Sequence, residues 1–160
     1  MITRRRLIAT TDALGRITRL AYDALDRHVQ ITDALDHVST VQYDAVGNVT
    51  AATDALGRVT YSDYDALNRV VMITQADPDG GGPEASPVTA LDHDSMGNVL
   101  SMVDALGRME RYTSDTLDRR IQTVDPLGHV STAQYDAAGN LVASTDALGR
   151  LSASGFRRPR

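Results

Sequence analysis

The sequence has no cysteine, no lysine and no tryptophan, one phenylalanine (Phe156) and two glutamates (Glu84 and Glu110) in 160 residues. Without cysteine there is no disulfide, no thiolate metal site and no cysteine nucleophile, and the redox compartment stays open. Six tyrosines are almost the whole aromatic supply, which argues against a thick globular core or an aromatic-lined cofactor pocket. Long apolar runs are also missing. The three arginines Arg4, Arg5 and Arg6 are followed only by Leu7-Ile8-Ala9, too short for a secretory signal core, and no stretch is long enough for a membrane helix. What remains is skewed: nineteen aspartates carry nearly all the acid, sixteen arginines carry all the base, and the net charge is −5. Asp favours turns while Glu and Lys favour helices. The composition predicts an all-β chain of strands and turns.

The aspartates are periodic. Twelve of them open a D-x-x-[GDN]-[RNH] element: Asp12, Asp23, Asp33, Asp44, Asp54, Asp65, Asp94, Asp104, Asp115, Asp125, Asp136 and Asp146. Their spacing alternates between 11 and 10 residues, a period of 21 in two unequal halves, with one gap of 29 between Asp65 and Asp94. That gap is one period lengthened by eight residues. It contains Asp77-Pro78-Asp79-Gly80-Gly81-Gly82-Pro83, a run of turn formers, and reads as a lengthened loop at about 77–87 because the phase resumes after it.

Each half-period has its own grammar. Two residues after the anchor stands an apolar residue, usually Leu, and the next position is Gly eight times and Asp26, Asp36, Asn68 or Asp118 otherwise. Only these residue types tolerate positive φ readily, so this position closes a tight turn in the left-handed region. Five or six residues rich in Thr, Val, Ile, Ser and Ala then lead to the next anchor, the length of one strand. A helix starting at each Asp fails, because Gly arrives three residues later and no 3.6-residue apolar period follows. Half-periods of 10 or 11 residues leave no room for a crossover helix, so about thirteen consecutive strands pair as an antiparallel β-meander. Turns then alternate between two edges, the Thr-Asp turns on one and the Tyr-Asp turns on the other. Two-residue spacing places Val29 with Ile31, Val71 with Ile73 and Leu100 with Met102 on one face, and Val49, Val70, Val99 and Leu141 on the opposite face.

The residues before the anchors carry a family resemblance. Tyr22-Asp23, Tyr43-Asp44, Tyr64-Asp65 and Tyr135-Asp136 keep a Tyr-Asp pair, with His93-Asp94 and Ser114-Asp115 as variants at the same phase. Segments such as Gly15-Arg16-Ile17-Thr18-Arg19-Leu20-Ala21-Tyr22-Asp23 and Gly128-His129-Val130-Ser131-Thr132-Ala133-Gln134-Tyr135-Asp136 resemble the G-x-[IVL]-T-x-x-x-Y-D pattern of YD repeats. Such repeats form the RHS proteins of bacteria, the shell components of bacterial insecticidal toxin complexes, and the teneurins of animals. The resemblance runs from about Thr11 to about Leu151. It divides the chain into an N-terminal extension at 1–10, a repeat array at 11–151 and a basic tail at 152–160. It implies a curved or spiralling β-sheet forming part of a shell, secreted or at the cell surface as part of a larger protein and cytoplasmic before export. Asp125-Pro126-Leu127-Gly128 resembles part of the family's core-terminal segment but sits in phase as an ordinary turn.

The resemblance also implies partners: the remainder of such an array, an encapsulated toxin domain, or a glycan or protein ligand bound at the surface. The free strands at the two ends are open to self-association, blunted by Arg4, Arg5 and Arg6 at one end and Arg157, Arg158 and Arg160 at the other. Catalytic, cofactor and metal residues are expected to be absent. Phase-locked aspartates cap their own turns. Asp77-x-Asp79-Gly80 lacks the remaining ligands of a calcium loop, and Gly80-Gly81-Gly82 lacks the Lys and helix of a phosphate loop. The histidines His28, His37, His93 and His129 replace repeat residues singly, without metal-ligand spacing. No G-x-S-x-G elbow is present. Arg16, Arg27, Arg58, Arg69, Arg108, Arg119 and Arg150 each neighbour an anchor Asp, which favours salt-bridged turns over a nucleic-acid surface.

Overall fold

A computed structural model of the chain describes residues 6–82 and 84–153. Arg4, Arg5, Arg157, Arg158 and Arg160 lie outside the described residues; Arg6 opens the first strand. The chain divides into two compact units, Met1–Val88 and Thr89–Arg160. In the first, β1 (Arg6–Thr11), β2 (Ile17–Tyr22), β3 (His28–Thr32), β4 (Val38–Tyr43), β5 (Val49–Thr53), β6 (Val59–Tyr64) and β7 (Val70–Thr74) follow one another as an antiparallel meander. β8 (Val88–His93) leads the second, followed by β9 (Val99–Val103), β10 (Met109–Ser114), β11 (Arg120–Val124), β12 (Val130–Tyr135), β13 (Leu141–Thr145) and β14 (Leu151–Ala153), again antiparallel in sequence order. The first pairing strand starts at Arg6, so residues 6–10 of the segment set apart as an extension are sheet. The segment between β7 and β8 is closed at its base by the Gln75 N–H donating to the Pro87 carbonyl at 2.9 Å.

All twelve closing positions have positive φ. The eight glycines range from +73° to +106°, and Asp26, Asp36, Asn68 and Asp118 lie at 56° to 62°. The pairing adds something that periodicity alone did not give. Register slips by one residue in the pairing at Ala21/Tyr22, Gln42/Tyr43, Asp63/Tyr64, Asp92/His93, Thr113/Ser114 and Gln134/Tyr135. Every slip sits beside a Tyr-type turn and carries one extra residue on the outgoing strand, a β-bulge. Both turn types close on a five-residue loop, so two hairpins without bulges would give an even period. One bulge per pair of strands is what makes the period odd.

The bulge also overturns the face assignment made from two-residue spacing. Tyr64 and Ser62 lie on one face of β6 and pair with Val70 and Ile73 respectively, so Val70 and Ile73 share that face. Val99 and Met102 do likewise, through His93 and Leu91. Three-residue spacing across a bulge keeps side chains on one side where simple alternation separates them. Packing within each unit is thin. Among the described residues only Ala21, Ala51 and Tyr112 fall in the buried class, and the strand contacts run only between sequence neighbours. Stability therefore resides in neighbour-to-neighbour terms, the one-dimensional arithmetic of repeat proteins.

Candidate functional site

Polar chemistry concentrates at the turns, so the candidate site is built from the anchor aspartate outward. At Asp12 the Oδ1 atom accepts the N–H groups of Leu14 at 2.9 Å and Arg16 at 3.0 Å, and Oδ2 accepts the Arg16 Nε–H at 2.6 Å. The Asp12 N–H donates to the Arg16 carbonyl, and the Gly15 N–H donates to the Asp12 carbonyl, both at 3.0 Å. Each anchor repeats the Oδ1 contacts, and its Oδ2 pairs with the side chain four residues on: Arg, Asn48, Asn98, Asn140, or the Nδ1 of His37 and His129. These donors hold the anchor carboxyls below the usual aspartate range. At Asp54 and Asp104 the guanidinium four residues on is the main cause, helped by the amides of the turn. At Asp12 and Asp146 the arginine's backbone amide leads. At Asp23 and Asp44 desolvation pushes the other way and is outweighed by the same donors. A carboxylate committed in this way is a structural anion, poorly suited to proton transfer or cation binding.

The two turn edges differ in what they do next. On the Tyr-type edge, side chains reach from one turn to the turn two strands along. Arg27 donates to the Asp44 carbonyl at 3.1 Å and lies over the Tyr43 ring at 4.5 Å. Arg119 repeats this with the Asp136 carbonyl at 3.1 Å and the Tyr135 ring at 4.8 Å. Asn48 donates to Asn68 Oδ1, and Asn98 to Asp118 Oδ1, in the same direction. The hydroxyls of Tyr43, Tyr64 and Tyr135 donate to the carbonyls of His28, Val49 and Arg120, fifteen residues back. Tyr and Arg at this phase thus tie successive repeats together, which explains the Tyr-Asp pair physically. Arg27 and Arg119 each stand sixteen residues before the Tyr they cover, a separation set by the pairing register that no local pattern announces.

The Thr-type edge carries arginines that stay home. Arg16 and Arg58 are 65% exposed at the side chain against 27% for Arg27, and each pairs with its own turn's Asp. Beyond the anchors, Asp77 accepts the N–H groups of Asp79 and Gly81, and Asp79 those of Gly82 and Glu84, all at 3.1 Å. The loop carboxylates are engaged by their own backbone. The four histidines stay apart, and no group of three or more His, Asp or Glu able to hold a metal occurs among the described residues. His28 Nε2 and His93 Nδ1 are buried without a hydrogen-bond partner. Beside the 75–87 loop lie two clefts. One of about 710 Å³ is lined by Ser39, Val41, Thr60, Asp77 and Pro87, and one of about 430 Å³ by Leu56, Tyr61, Thr74 and Ser86, among others. No helix in the described residues is long and apolar enough to cross a membrane.

With this geometry in view, comparison with known proteins gives a consistent picture. The sequence profile described as RHS Repeat matches residues 6–38, 43–81 and 115–151. Comparison with curated proteins gives no match. Among solved structures, the chain is similar to a component of the Photorhabdus luminescens Tc holotoxin pore, with a TM-score of 0.69 and 20% identity over 88% of this chain and 8% of that one. It is also similar to a chain of TcdB2-TccC3-TEV, with a TM-score of 0.69 and 19% identity over 91% of this chain and 8% of the other. TcdB2-TccC3 without its hypervariable C-terminal region gives a TM-score of 0.66 and 18% identity over 96% and 9%. At these identities the likeness is one of fold, and this chain spans less than a tenth of the length of the solved chains it matches.

Proposed function

The chain belongs to the RHS repeat family, and from that membership we propose that it is a non-catalytic structural segment of a repeat-built shell in a bacterial toxin complex, serving encapsulation and delivery of a toxic domain or competition between cells. One observation carries the reading. Tyr-type turns are bonded to their equivalents two strands away through Arg27, Arg119, Asn48, Asn98 and three Tyr hydroxyls, so each repeat is braced by the next, as a wall requires. The carboxylates that would serve chemistry are committed to turns. Its partners are the remainder of such an array and an enclosed domain, and it acts as part of a larger exported protein, outside the producing cell or at its surface. In this reading residues 77–87 are an insertion into the array, and no catalytic, cofactor or metal residue is assigned.

Electron microscopy of the full-length protein tests the proposal, combined with protease challenge before and after removal of two in-phase repeats. The wall reading expects residues 6–153 to form part of an enclosing surface, and expects the deletion to expose a protected domain. An array that encloses nothing, with identical protease patterns in both proteins, would overturn it. A second reading, a surface module that recognises a glycan or a protein, is favoured by Tyr61. It is the one tyrosine outside the Tyr-Asp phase among the described residues apart from Tyr112, it is 53% exposed, and it lines the smaller cleft. Glycan-array binding that Tyr61→Ala abolishes would support that reading; a blank array would set it aside.

A further inference from the structure

Two arginines hold the same place in the fold and meet different surroundings. The third residue of every even-numbered strand is one repeat position, and it is Arg only in β2 (Arg19) and in β10 (Arg111). Register sets Arg19 opposite Thr32 and Arg111 opposite Val124, in each case the residue before the next Thr-type anchor. The Arg19 guanidinium reaches on to that turn, where Asp36 Oδ1 lies 3.6 Å from its Nη1. Asp36 is the one carboxylate at a closing position of the Thr-type edge, the others being Gly. Seventeen residues separate Arg19 from Asp36, and the same step from Arg111 leads to Gly128. Among the described residues Arg111 therefore has no ion pair and no hydrogen bond from its side chain.

The space that Asp36 fills in the first unit is open in the second. A Cβ built on Gly128 meets nothing within 4 Å, and a cleft of about 610 Å³ lies beside it, lined by Arg108, Met109, Arg111, Val124, Pro126 and Gly128 among others. The carboxylate on its wall, Asp125, is committed to His129 and to the amides of Leu127 and His129, and Arg108 is held by Asp104. The Arg111 guanidinium is left as the unanswered charge of the cleft. Its wall is also more apolar than the first unit's, with Val124 and Pro126 standing where that unit has Thr32 and Ala34. We propose that this cleft binds an aliphatic monocarboxylate, the carboxylate seated on Arg111 as Asp36 is seated on Arg19, and the chain laid against Met109, Val124 and Pro126. The planar guanidinium fork matches a carboxylate, and each methylene covered adds to the hold.

The test is an amide NMR titration of the full chain with sodium hexanoate to about 50 mM at constant ionic strength, a range that reaches weak binding. Saturable shifts are expected at the amides of Arg111, Leu127 and Gly128, with a Kd on the order of 1–10 mM, the strength open to so small a ligand holding one exposed ion pair. Hexanol, which lacks the charge, and inorganic phosphate, which lacks the chain, should give no saturable shift there. Arg111→Gln should remove the hexanoate response. Gly128→Asp should remove it too, by supplying the carboxylate from within, since Asp36 shows that this position accepts Asp at φ 62°. The converse change, Asp36→Gly, frees Arg19 and should add a second set of shifts at Arg19 and Leu35. Circular dichroism checks that each variant stays folded; Arg111 is exposed, so Arg111→Gln carries the test should Gly128→Asp unfold the chain. An absent hexanoate response, one that persists in Arg111→Gln, or an equal response to phosphate would overturn the proposal. Asp36→Gly without a second set of shifts would overturn the equivalence of the two arginines on which it rests.

Discussion

Replacing Gly57 by Ala separates two accounts of the turn. Its φ is +79°, and a Cβ built there would meet nothing within 4 Å. If space alone mattered, the change would be stabilising by about 0.4–1 kcal/mol, since Ala reduces the freedom of the unfolded chain. The left-handed backbone acts the other way, costing a residue with a Cβ about 1–2 kcal/mol. At the middle of both ranges the second effect wins, leaving a net loss on the order of 1 kcal/mol. With a urea slope of about 1–3 kcal/mol/M, the midpoint should fall by roughly 0.3–1 M at unchanged slope. Asn, which occupies the equivalent position at Asn68 with φ 62°, should lose less than Ala, and Val, branched at Cβ, should lose most. The ranking Gly, Asn, Ala, Val is read by far-UV circular dichroism in urea, with hydrogen exchange at the residue 57 amide locating the effect. Gly107, at φ +73° in the second unit, should give the same order. An Ala variant as stable as the parent, or more so, would refute the claim that backbone conformation governs this position.

Acid should unfold the chain through its turns. The anchor carboxyls are held below the ordinary aspartate value of 3.8, so the unfolded chain binds more protons than the folded one as pH falls. Their contribution is complete above about 3.8 and is lost as pH drops through the lower folded values; a titration followed by circular dichroism should show stability flat above that range and falling below it. Arg27→Met and Tyr43→Leu, which remove the cation and the ring stacked 4.5 Å apart, made singly and together, should give a coupling on the order of 0.5–1 kcal/mol in a double-mutant cycle, the usual worth of a cation–π contact near the surface. A null coupling would remove the brace from the Tyr-type edge. Deleting the 21 residues 33–53 joins Thr32 to Asp54 in phase and should leave a folded, less stable chain with unchanged turn chemistry. Deleting the 11 residues 33–43 joins Thr32 to Asp44, puts Tyr-type turns on the wrong edge, and should cost the lateral bonds as well; comparing the two urea midpoints checks this.

Much of this architecture is legible in the sequence because a repeat contains its own comparison. Twelve copies of one turn show that position three after the anchor accepts only Gly, Asp or Asn, and the structure places all twelve at positive φ. The pairing of each arginine with the Asp four residues earlier was likewise visible, since both lie within one five-residue loop. Two things were not. Two-residue alternation holds only in an unbroken strand, so Val70 and Ile73 were assigned to opposite faces while the bulge beside Tyr64 brings them to the same one. The brace from Arg27 to Asp44 and Tyr43 spans sixteen and seventeen residues, a distance set by the pairing register and by no local pattern.

The bulge joins these points into one account of why the period is 21. A bulge adds twist and re-aims the side chains beside it, and here it sits always at the Tyr-type turn; at Tyr43, Tyr64 and Tyr135 the neighbouring hydroxyl reaches back to the preceding hairpin. An even period would keep strict alternation through every strand and leave the two edges equivalent by construction. The odd one makes them unequal. At the bulged edge, Arg and Tyr side chains tie repeat to repeat; at the unbulged edge, each turn satisfies its own polar groups. The first edge therefore supplies the lateral bonds that hold successive repeats together, and the single extra residue is what sets it apart from the second.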